Sequence, residues 1–85
     1  MFNVFLDFGA REQLGQMDRS IQLRINKKLN QLKTLQSARH LKHGLNYFVV
    51  ETGQYRICYA EETNTRTIVF IGTHKQYEKW HKEFR

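Results

Sequence analysis

Residues 46–72 read NYFVVETGQYRICYAEETNTRTIVFIG. Three runs within this stretch, 46–51, 55–61 and 66–72, are rich in Val, Ile, Tyr, Phe and Thr. These side chains pack well on a pleated, half-buried surface, so each run is predicted to be a strand. The segments between them, Thr52, Gly53 and Gln54, then Glu62, Thr63, Asn64 and Thr65, are short and polar. Connections of that kind are hairpin turns, which makes the three strands sequential and antiparallel. Ile68, Val69, Phe70 and Ile71 are apolar without alternation. A strand apolar on both faces is expected inside a sheet that is covered on both sides.

The rest of the chain supplies the covers. Residues 2–8 (FNVFLDF) alternate with period two, which predicts one more short strand. From about residue 10 the period changes. Leu14, Met17, Ile21, Ile25, Leu29, Leu32 and Leu35 recur at steps of three and four, as one apolar stripe of helix. Gly15 weakens the stripe near its start, and Asp18 is a suitable N-cap. The stripe is therefore read as two helices, 10–16 and 19–35. Residues 37–45 (SARHLKHGL) lose the period and are read as a loop, closed by Gly44. Residues 75–85 (KQYEKWHKEFR) read as a short amphipathic helix carrying Tyr77, Trp80 and Phe84. The expected class is α+β, in the order β-α-α-β-β-β-α. The sheet is mainly antiparallel, with an amino-terminal helical hairpin on one face.

Composition bounds what such a chain does. Eighty-five residues without proline, repeat or linker are expected to form a single domain, 1–85. The charge is +6, from 14 Lys and Arg against 8 Asp and Glu. A surface that basic suits a polyanion. The lone Cys58 cannot form an intrachain disulfide, and a Cys-rich zinc site is excluded. Apolar runs fall far short of the ~20 residues of a membrane span, and no leader pattern opens the chain. The expected compartment is a reducing cytoplasm.

Alternation along 55–61 sets Tyr55, Ile57 and Tyr59 toward the helical pair and Arg56, Cys58 and Ala60 toward the opposite face. An arginine on that face must either pair or look into an open groove. His74 leaves the last strand just before the terminal helix, one turn from Tyr77. Thr73 beside it is a suitable N-cap. Arg24, Lys27 and Lys28 fall at i, i+3 and i+4, on a helix face away from the apolar stripe. Neither metal nor cofactor is expected. His40 and His43 have no acidic residues at ligand spacing, and lysines flank the histidines. His, Lys, Arg and Tyr gathered without acids suit RNA cleavage by internal transfer instead. Histidine moves the protons, cations stabilise the pentacoordinate phosphate, and arginine grips it with two parallel hydrogen bonds.

Three segments, HLKHGL at 40–45, GQYRICY at 53–59 and VFIGTHKQYEKW at 69–80, resemble the RelE/ParE superfamily of toxins from type II toxin–antitoxin pairs. The first and third are similar to HigB-type members. The resemblance covers nearly the whole chain. It implies a ribosome-dependent messenger-RNA endonuclease that inhibits translation. Arg56 then matches the phosphate-binding strand arginine. His40 and Lys42 match the basic loop at the scissile phosphate, and His74 and Tyr77 the carboxy-terminal catalytic segment. His43 and Lys75 extend this set toward RNA, with Arg24, Lys27 and Lys28 as ribosomal contacts. The general base is left between His40 and His74, since the acidic base of YoeB-type members has no counterpart that can be placed. The implied partners are a cognate antitoxin and the ribosome, with its 16S RNA and the messenger in the A site. The toxin–antitoxin complex would bind operator DNA through the antitoxin. A ParE-like gyrase inhibitor without nuclease activity is the alternative.

Overall fold

Asp7 ends the first strand by starting a helix. Its carboxylate Oδ1 accepts from the Ala10 backbone N–H at 2.8 Å, an N-cap that satisfies one of the orphan donors of a first turn. In the computed structural model, which describes residues 1–34, 39–40 and 47–83, strand β1 is therefore Asn3–Leu6 and helix α1 is Phe8–Gly15. Helix α2 is Arg19–Gln31. Asp18 occupies its N-cap position, as the sequence predicts, but makes no side-chain capping bond. The two helices are tied instead by Gln22, whose Nε2 donates to the Leu14 carbonyl at 3.0 Å. Helix α2 also stops four residues earlier than its stripe predicts. The carbonyl of Leu32, just past its last turn, accepts from the Arg66 guanidinium at 2.7 Å. Leu35 lies outside the described residues.

Strands β3 (Tyr47–Thr52), β4 (Tyr55–Glu62) and β5 (Thr65–Thr73) form the predicted meander. Both connections are two-residue turns, since Thr52 pairs with Tyr55 and Glu62 with Thr65. Gly53 in the first turn has φ +59°, a backbone conformation that costs a glycine little. A two-residue strand β2, Arg39–His40, pairs antiparallel with β3 where the sequence suggested only loop. Two residues are too few to show a period, so the ladder alone reveals it. The sheet order is β1-β5-β4-β3-β2, with β1 parallel to β5 and the other pairs antiparallel. Helix α3 is His74–Lys82. Thr73 caps it in a capping box with Gln76, each side chain bonding the other's backbone. No helix among the described residues is long and apolar enough to cross a membrane.

The sheet carries apolar side chains on both faces. Ala10, Ile25, Leu29 and Leu32 of the helical pair pack on Val50, Ile57, Tyr59, Ile68 and Ile71. On the other face Val49, Cys58 and Phe70 pack beneath Tyr77 and Trp80 of α3. A β-bulge makes this two-sided core possible. Cys58 pairs with Phe70 but Tyr59 with Ile68, so Val69 is an extra residue in β5. Strict alternation would put Ile68 and Phe70 on one face. The bulge instead gives Ile68 and Ile71 to the helical pair, and Val69 and Phe70 to α3.

Candidate active site

Arg56 lies on the α3 face of β4, as alternation predicts, and there it is paired. Its register partner across the hairpin is Glu51, and the two side chains form an ion pair at 3.2 Å. Its guanidinium carbon stands 4.8 Å from the centre of the Tyr77 ring. Arginine over an aromatic face gains electrostatic attraction and a flat support. On β5 the residue opposite Arg56 is Gly72. A Cβ there would come within 2.7 Å of the Phe70 ring and 2.8 Å of Gln76 Oε1. A bare Cα at this point lets the aromatic layer and the α3 cap close together beside the arginine.

His74 is the first residue of α3, placed by Thr73 at the end of β5. It lines a small pocket of about 130 Å³ together with Arg56, Glu51, Gly53, Gln54 and Tyr55. Its Nε2 is 2.9 Å from Glu78 Oε1, one turn along the helix. Lys75 follows His74 on the exposed start of α3. Tyr77 is buried in the aromatic layer, with its ring 6.3 Å from Phe70, 6.4 Å from Trp80 and 5.6 Å from His81. Cys58 lies beneath the same layer, and burial pushes its thiol up to about 12, against a smaller opposing pull from Arg56.

The expectation of a basic cluster without acids is corrected here. Glu51 is paired with Arg56, and Glu78 stands beside His74. Both were visible in the sequence as spacings. Glu51 and Arg56 are symmetric about the Gly53–Gln54 turn, and Glu78 is four residues beyond His74. Neither spacing counts until the turn and the helix start are fixed. Arg56, His74 and Tyr77 are thus brought together. Arg24, Lys27 and Lys28 are not among them, because α2 covers the opposite face of the sheet. The backbone of His40 pairs with Phe48, which pairs in turn with Tyr59. That row is three residues along and two strands across from Arg56, roughly 10 Å in each direction. Lys42 and His43 lie outside the described residues.

No three His, Cys, Asp or Glu side chains among the described residues are grouped as a metal site. A larger groove of about 440 Å³ runs between the α1–α2 turn and the end of β5. Among the described residues its only charged lining side chain is Asp18, so it offers an anion no cation.

No protein-family model matches the sequence, and neither does any curated protein. Solved structures do match. The isolated E. coli RelE toxin aligns over the full length of both chains with a TM-score of 0.72 at 13% identity. A chain of the intact E. coli RelBE toxin–antitoxin complex aligns over 86% of this chain and 96% of its own, with a TM-score of 0.70 at 16% identity. The helical pair, the mixed sheet and the terminal helix together have the fold of the RelE toxin.

Proposed function

We propose that this protein is the toxin of a type II toxin–antitoxin pair, and that it cleaves messenger RNA on the ribosome without a metal ion. The observation that carries this reading is Arg56, supported on Tyr77 and sharing one pocket with His74. The RelE fold supports it, and the solved RelBE complex supports a proteinaceous antitoxin as partner. In the reaction the RNA 2′-oxygen attacks the adjacent phosphorus. A 2′,3′-cyclic phosphate forms and the 5′-oxygen leaves. Arg56 exchanges Glu51 for two non-bridging oxygens, since a fork-shaped cation binds phosphate bidentately. His74 is the group in this pocket that moves a proton. Tyr77 keeps the guanidinium flat and in place. His40, Lys42, His43 and Lys75 take further part in holding the RNA, and Arg24, Lys27 and Lys28 contact RNA from α2. Translation stops in the cytoplasm until an antitoxin covers the site, and that complex meets operator DNA through the antitoxin.

Primer extension on messenger RNA after induction in cells tests this reading. Cleavage at codon-associated sites is expected with the native chain. Loss of one oriented electrostatic donor typically lowers turnover by about 10²–10³-fold, so Arg56→Ala and His74→Ala should leave no detectable cut. Cleavage that survives both changes refutes the site.

A further inference from the structure

Across the β3–β4 turn from Arg56 lies a second concave surface. Arg24, Lys27, Lys28 and Gln31 of α2 face Thr52 and Gly53 around a volume of about 380 Å³. Among the described residues no carboxylate lines it. Among the described residues, none forms an ion pair or a hydrogen bond with the side chains of Arg24, Lys27 or Lys28. Arg56 and His74 differ, each being held by a glutamate. Like charges at helix spacing repel one another, so three unpaired cations around one hollow make a site that an anion completes.

The hollow is built on the turn. A Cβ on Gly53 would stand 2.9 Å from Arg24 Nη1, so the guanidinium rests against a bare Cα. Gly53 also lines the Arg56–His74 pocket, and it is the residue the two share. A chain of phosphates passing over the turn meets cations on both sides of it. We propose that the α2 cleft binds successive backbone phosphates, one for each of its three cations, of the same single-stranded RNA that Arg56 holds, the strand crossing the turn at Gly53. The cleft would then set where along the strand the cut falls. The identity of the ligand as RNA rests on the function proposed above.

Binding without cleavage separates the two ideas. The probe is single-stranded 2′-O-methyl RNA, which lacks the attacking hydroxyl, followed by fluorescence anisotropy across a salt series. Each phosphate contact to a single strand contributes about −0.7 to the slope of log K against log salt. Replacing Arg24, Lys27 and Lys28 together with glutamine should therefore flatten the slope by about 2. The native chain should lose about twenty-fold more affinity than this variant between 50 and 200 mM salt. Arg56→Ala should flatten the same slope by about 0.7. A dinucleotide, too short to cross the turn, should bind the native chain and the triple variant alike. The double variant Arg24→Gln/Lys27→Gln keeps Lys28 near the helix end and repeats the test at about two thirds of the effect. An unchanged slope in the triple variant overturns the proposal. So does a slope that changes only on duplex RNA, or a dinucleotide that weakens as much as the long strand. If the slopes shift as expected but messenger RNA is never cut in cells, the cleft stands and the proposed reaction falls.

Discussion

Cys58 is completely buried between Arg56 and the aromatic layer, and its thiol is pushed up to about 12 by that burial. It is a packing group, with no nucleophile's environment. The linkage has a definite sign. In the unfolded chain this thiol ionises near its ordinary value of 9.0, whereas in the folded chain it stays protonated. Between those values the folded state binds the extra proton, so stability falls as pH rises from about 9 toward 12. The slope is about 1.4 kcal/mol per pH unit for one such group. Tyr59, raised chiefly by its own burial, adds to the alkaline loss. Urea unfolding followed at pH 7 and pH 10 should show the loss in the native chain and a smaller one in Cys58→Val. Equal losses would mean that the thiol ionises alike in both states. The face on which Cys58 stands followed from its place in the alternation. The acids that hold Arg56 and His74 did not, because a spacing of five or four residues becomes contact only once a turn or helix makes it so.

At the scale of elements, the junction of β5 and α3 sets the geometry of the pocket. Thr73 is both the last residue of β5 and the cap of α3, so His74 has almost no freedom of position. Thr73→Ala removes the hydroxyl that accepts from the Gln76 N–H and should cost about 1 kcal/mol of stability. Thr73→Ser keeps the oxygen and should recover most of it in the same denaturation measurement. If both variants match the native chain, the cap is not holding the helix. The existence of this helix and its capping residue were legible in the sequence, since threonine before an amphipathic period is a start signal. The bulge at Val69 was not legible. Four consecutive apolar residues carry no period, so only the pairing partners in β4 show where the phase shifts.

Across the whole molecule, Arg66 is the residue that joins distant parts. It is 2% exposed and lies between the Phe2 ring at 3.9 Å and the Tyr59 ring at 5.1 Å. Its Nε donates to Glu61 at 2.9 Å and its Nη1 to the Leu32 carbonyl at 2.7 Å. The start of the chain, the end of α2 and strands β4 and β5 thus meet on one guanidinium. Removing it leaves a carboxylate and a buried carbonyl without their donor, which typically costs about 3 kcal/mol or more. Arg66→Ala should shift the urea midpoint by that amount, and Arg66→Lys should recover only part of it, since an ammonium cannot reproduce the planar fork. Full stability in Arg66→Ala would show that the junction is held by packing alone. A charged residue two places before Ile68, on the inward face of a strand, was the available signal. It gave no indication of which backbone carbonyl the side chain would meet.

The sequence by itself determined the order of elements, the antiparallel meander, the two turns and the face on which Arg56 stands. Each of these follows from local periodicity or from the backbone preference of a few residues. Tertiary structure alone decided the parallel pairing of β1 with β5, the strand at Arg39–His40, the early end of α2 and the seating of Arg24 on Gly53. It also placed the α2 cations and the Arg56–His74 pocket on opposite sides of one turn. These depend on contacts between segments far apart in the chain. No period or propensity encodes such contacts until the sheet has brought the segments together.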